Sequence, residues 1–82
     1  MLTKEKFLSL PRKFLSHISA ADYHTIVEFV DVNGREVKIY SDVKILKSGS
    51  FGKPRTFYSY AGKRYRQLDK LIEAINKNNN EQ

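Results

Sequence analysis

Cysteine is absent from the 82 residues. That excludes a disulfide scaffold, a thiolate zinc site and a thiol nucleophile. No charge-free run approaches the roughly 20 apolar residues that a membrane span needs. The opening Met1-Leu2-Thr3-Lys4-Glu5-Lys6 has no long apolar stretch behind it, so no signal peptide is expected. Internal repeats are missing too, and the polar run from Asn78 to Gln82 is the one low-complexity stretch. A soluble, cytoplasmic chain is expected, in the host cytoplasm if it is phage-encoded.

Acid is missing from one long window. The chain carries 15 basic and 9 acidic side chains, a net charge of +6. Residues 1–18 hold +3, residues 19–42 hold −3 and residues 69–82 hold −1. Residues 43–68 hold +7, from Lys44, Lys47, Lys53, Arg55, Lys63, Arg64 and Arg66, with no acid among them. The same window carries Phe51, Phe57, Tyr58, Tyr60 and Tyr65, five of the ten aromatic residues. Cations neutralise phosphates and release counterions. Aromatic faces stack unpaired bases.

Size and patterning give the fold class. Eighty-two residues make one domain, and 40% hydrophobic residues are enough to bury a core. Thr3 can cap a short helix over about 3–9, with Glu5 near its positive end. Pro11 breaks that helix and suits the first position of another, which predicts a second helical piece over about 11–18 with Phe14, Leu15 and Ile18 on one stripe. Asn33-Gly34 marks a hairpin. A two-residue loop would pair Asp31 with Glu36 and leave Phe29 opposite Lys38. A three-residue loop over Val32-Asn33-Gly34 pairs Asp31 with Arg35 and Glu28 with Lys38, and sets Val27, Phe29, Val37 and Ile39 on one face. Charge and burial together favour the three-residue loop.

The second strand should run over about 35–46, with Lys38, Tyr40, Asp42 and Lys44 facing away from the core. A loop follows over 47–54, then a strand over 55–60 and a turn at Ala61-Gly62. A three-residue turn there pairs Phe57 with Tyr65 and Tyr58 with Arg64, exposing Tyr58, Arg64 and Arg66. A two-residue turn would instead gather Tyr58, Tyr60 and Tyr65. The first is expected. Leu68, Leu71, Ile72 and Ile75 then follow the helical i, i+3, i+4, i+7 rule. The expected architecture is a two-layer α+β domain, α-β-β-β(-β)-α, over residues 1–77. Its three- to four-stranded antiparallel sheet carries both helices on one face, and residues 78–82 form a disordered tail.

The element order resembles that of the double-stranded RNA-binding domain. That family opens its second helix with a lysine-rich run. Here the helix opens Gln67-Leu68-Asp69-Lys70, so no membership follows.

The expected function is a non-catalytic nucleic-acid-binding module that prefers RNA or single strands. Its predicted surface is Lys44, Lys47, Phe51, Lys53, Arg55, Tyr58, Tyr60, Lys63, Arg64 and Arg66, beside Lys38 and Tyr40. No helix is both strongly basic and shaped for a groove. An alternative is a small phage- or plasmid-type accessory protein that inhibits a host protein or ribonucleoprotein, RNA antitoxin systems included, by docking on an acidic surface. A third reading is a small ribonuclease with His24 or Tyr65 as general base beside Arg64. Gly49 and Gly52 lack the Gly-Lys-Ser/Thr ending of a nucleotide loop; a loop that orders on ligand binding is expected instead. His17 and His24 are too few for a metal site, and the acids form no metal or glycosidase pair, so no cofactor is expected. A homodimer is compatible with a free sheet face or an exposed edge strand.

Overall fold

A computed structural model describes residues 1–80. The order is α1 (Lys4–Ser9), β1 (Lys13–Ser19), β2 (Tyr23–Val32), β3 (Arg35–Lys44), β4 (Arg55–Tyr60), β5 (Lys63–Tyr65) and α2 (Leu68–Asn80). The five strands form one antiparallel sheet in sequence order. The fold is therefore α+β with a helix at each end of the chain, as expected, but with a fifth strand.

The extra strand replaces the second helical piece. Thr3 caps α1 by accepting from the Lys6 N–H at 3.2 Å. The helix stops at Leu10, whose backbone is extended (ψ 141°), as the residue before a proline should be. Beyond Pro11 the chain runs on as β1. Tyr23–Phe29 of β2 needs a partner for its outer edge, and β1 supplies it through antiparallel pairing from Lys13↔Phe29 to Ser19↔His24. A bulge at Leu15 breaks the register between Phe14 and Ser16. The stripe of Phe14, Leu15 and Ile18 that suggested a helix buries nothing: all three are exposed. Backbone pairing, not side-chain burial, decides this element.

Both predicted turns are corrected. Asn33 (φ 53°) and Gly34 (φ 84°) form a two-residue loop, and β2 pairs with β3 from Val32↔Arg35 through Asp31↔Glu36 and Val30↔Val37. Two consecutive positive φ angles suit the twist of a hairpin. The slip of one residue, relative to the expected register, turns Val30 and Val32 inward with Val37 and Ile39. The expected Asp31–Arg35 and Glu28–Lys38 pairs do not form; Asp31 faces Glu36, and Glu28 lies 3.6 Å from Arg12. Cross-strand charge pairs are worth only about 0.2–1 kcal/mol, too little to set the register against the twist that the two-residue loop matches. The second hairpin repeats the pattern. Ala61 (φ 51°) and Gly62 (φ 79°) form its loop, and Tyr60↔Lys63, Ser59↔Arg64 and Tyr58↔Tyr65 pair. Tyr58 and Tyr60 therefore face the core.

Both helices lie on that side of the sheet, the helix face. Phe7 of α1 meets Tyr58 edge-on, with ring centroids 5.9 Å apart. Leu71, Ile72 and Ile75 of α2 join Val30, Val32, Val37, Ile39, Tyr58 and Tyr60 in one buried cluster. The Asn76 side chain ties the chain start to α2: it accepts from the Leu2 N–H and donates to the Leu2 carbonyl, each at 2.9 Å. Lys4 forms an ion pair with Asp69. The helix continues past the expected tail boundary to Asn80, and the Asn78 amide donates to the Tyr60 hydroxyl at 3.1 Å. Residues 81–82 of the expected tail lie outside the described residues.

The molecule measures 50 × 23 × 21 Å. The long β2–β3 hairpin outruns the helices. The helices cover its Asn33-Gly34 end, whereas the Tyr23–Ile26 end, β1 and the loop after β3 carry none. No helix among the described residues is long and apolar enough to cross a membrane.

Candidate nucleic-acid interface

The side of the sheet away from the helices, the open face, is organised in rows that run across the strands. Residues directly opposite in an antiparallel pair share a face. Lys13, Phe29, Lys38, Ser59 and Arg64 therefore form one row across all five strands. Ser16, Val27, Tyr40 and Phe57 form the next. Ile18, Thr25, Asp42 and Arg55 form the third. A row of three cations thus lies beside a row with two aromatic rings. The rows are two residues apart along β2, β3 and β4, about 7 Å, and the bulge makes the first step three residues along β1.

The rings are held in place. Tyr40 and Phe57 stack at 4.7 Å with 5° between their planes. The Arg64 guanidinium sits 5.1 Å from the Phe57 centroid. Such a contact on an exposed site is worth about 0.5–1 kcal/mol, enough to orient the arginine without locking it. Val27, in the same row, is buried although it lies outside the main core cluster.

β5 is half the length of β4, so residues 55–57 have no outer partner. An open cavity of about 450 Å³ lies there, lined by Asp42, Arg55, Thr56, Phe57, Arg64 and Arg66. Asp42 accepts a hydrogen bond from the Thr25 hydroxyl. Among the described residues none of the three arginines forms an ion pair. Their planar forks present several donors each, matched to phosphate or carboxylate.

The other predicted site residues divide. Lys44 is exposed on the open face beside Tyr23. Lys63 is exposed at the β4–β5 turn but belongs to the helix-face register with Tyr60. Tyr58 and Tyr60 leave the surface altogether; both are buried. Lys47 and Lys53 are exposed in the loop after β3. That loop is closed on itself: the Leu46 N–H donates to Ser50, the Gly49 N–H to Leu46 and the Gly52 N–H to Lys44. Phe51 is exposed and lies edge-on to His24, 6.1 Å between ring centroids, on the helix face. Phe57 and Lys13 take the places that Tyr58 and Tyr60 vacate. Lys13 is masked in the sequence because Pro11 and the spacing of Phe14, Leu15 and Ile18 read as a helix. Phe57 was hidden by the three-residue turn; the two-residue alternative at Ala61-Gly62 was the available signal.

The proposed ribonuclease pairing does not assemble. His24 lies on the helix face, 3.2 Å from His17 and 3.3 Å from the Ser19 hydroxyl, whereas Arg64 lies on the open face. Tyr65 faces the core with Tyr58. Among the described residues no group of three or more His, Asp or Glu side chains could hold a metal ion. No protein-family model, curated protein or solved structure matches the chain.

Proposed function

We propose that this protein is a non-catalytic, cytoplasmic nucleic-acid-binding module that takes RNA or single strands on its open sheet face. One observation carries the reading: Arg55, Arg64 and Arg66 stand without ion-pair partners among the described residues, around an open cavity beside the stacked Tyr40 and Phe57. Three guanidinium groups held together repel one another, and a polyanion relieves that repulsion. The adjacent rings offer π-surface to unpaired bases, which a duplex keeps stacked inside itself. Among the described residues no helix offers itself to a duplex groove: α2 carries Asp69 in its first turn and packs its apolar stripe on the sheet.

The test is fluorescence anisotropy with short single-stranded RNA, hairpin RNA, single-stranded DNA and duplex DNA at two salt concentrations, with a gel for cleavage. Single strands should bind most tightly and lose affinity steeply with salt. Arg64→Ala should lower the slope of log affinity against log salt by about 0.7, one phosphate contact on a single strand. Phe57→Ala should cost about 1–3 kcal/mol, one stacked base. Tyr58→Phe, in the core, should leave binding unchanged. Absence of binding to all four ligands, or unchanged binding by Arg64→Ala, sinks the reading.

A further inference from the structure

We propose that two copies of this protein pair through the outer edge of β1, antiparallel about a two-fold axis at His17, to continue the sheet from one copy into the other. This surface is separate from the cavity at β4, and the inference stands without the nucleic-acid reading.

β1 is an edge strand whose seven side chains are all exposed except Ser16, which is half-buried. Three are large and apolar: Phe14 at 66%, Leu15 at 46% and Ile18 at 55% exposure. They do not share one side. Phe14 pairs with Glu28 in the helix-face register, and Ile18 pairs with Thr25 in the open-face register. A protein laid on either face would cover only one of them. A strand added at the edge flanks both sides and also takes up the unpaired backbone N–H and C=O groups. The opposite edge is unsuitable. β5 has three residues, of which Lys63 and Arg64 are cations, so a second copy there would be repelled.

Charge selects a second copy as the occupant. The edge is basic at its start, with Lys13 and with Arg12, which also lies 3.6 Å from Glu28, and acidic at its finish, with Asp22 in the turn to β2. Antiparallel pairing of two copies brings Arg12 and Lys13 beside the partner's Asp22, twice by symmetry. Within β1 only Lys13 is charged, so no like charges meet along the pairing.

The bulge selects the register. A two-fold axis perpendicular to the sheet keeps each face on its own side, so opposite residues must share a face. Centring on Ser16 would set Ile18 against the partner's Phe14, which the bulge has moved to the other face. Centring on His17 sets Ser16 against the partner's Ile18, both in the open-face register, and His17 against the partner's His17.

The chain has no cysteine, which makes the register directly testable. Directly opposite residues have Cα atoms about 4.5–5.5 Å apart, inside the disulfide range of about 4.4–6.8 Å. His17→Cys under mild oxidation should give a covalent dimer on a non-reducing gel. Ser19→Cys should not, because in this register its two copies are four residues apart along the strand, about 13 Å. The native chain should sediment at twice the mass of its 9.6 kDa monomer. A monomer at tens of micromolar, or Ser19→Cys cross-linking as readily as His17→Cys, overturns the proposal.

Discussion

The two ends of the long hairpin are built from similar residues and end in different states. At the Asn33-Gly34 end, Val30, Val32, Val37 and Ile39 lie under α1 and α2, and Ile39 is 0% exposed. At the other end, Ile26, on the same face of β2, has no helix over it and stays exposed. Apolar content alone does not say which residues form a core. What differs is whether a second layer reaches them: α1 has six residues and α2 has thirteen, too little helix to cover a molecule 50 Å long. The covered end stabilises the fold, and the bare end presents surface.

The largest test of that contrast is a pair of truncations. Ile39→Ala should cost about 2–5 kcal/mol, as for a fully buried aliphatic residue. Ile26→Ala makes the same truncation at the bare end, yet it should stay within about 0.5 kcal/mol, as for an exposed position. Urea unfolding followed by circular dichroism measures both. Equal losses would mean that the bare end is packed in solution and that the division into two ends is wrong.

The same contrast explains what was legible in the sequence. α1, β4 and α2 are readable because local signals agree: the Thr3 cap, the stop at Pro11, and the spacing of Leu68, Leu71, Ile72 and Ile75. The inside–outside alternation of β3 was also readable, since Val37 and Ile39 are buried and Lys38 and Tyr40 face out. β1 was not, because a strand with nearly all its side chains exposed leaves no burial period to find. The hairpin registers failed for another reason. Weak charge pairs and turn geometry point to different registers, and Val27 and Phe29 are as apolar as Val30 and Val32. Only the position of the helices tells the two sets apart. For the candidate site, Arg55, Arg64 and Arg66 were visible as charge, whereas the aromatic partner changed from Tyr58 to Phe57 with a one-residue shift in the turn.

Burial at the covered end also overrides local misfit. Ala61 is held at φ 51° in the β4–β5 turn, a conformation that costs a residue with a Cβ about 1 kcal/mol. Tyr58 and Tyr60, fixed under the helices, hold it there. Ala61→Gly should therefore stabilise the protein by up to about 1 kcal/mol, after allowance for the greater freedom of glycine in the unfolded chain. The denaturation midpoint should rise with an unchanged slope. A fall would mean that the turn does not adopt this conformation in solution.

The smallest expected effect bears on the register itself. Asp31 and Glu36 face each other near the hairpin tip, both exposed. Like charges in that position destabilise by about 0.2–1 kcal/mol. Glu36→Lys should recover about that much by turning a repulsion into an attraction, and the gain should shrink in high salt as screening removes both. In the three-residue register Glu36 would face Val30, and the substitution would bring no salt-dependent gain. A stability difference that fades between 0.05 and 1 M salt is therefore the signature of the two-residue Asn33-Gly34 turn, and of the burial of Val30 and Val32 that holds it in place.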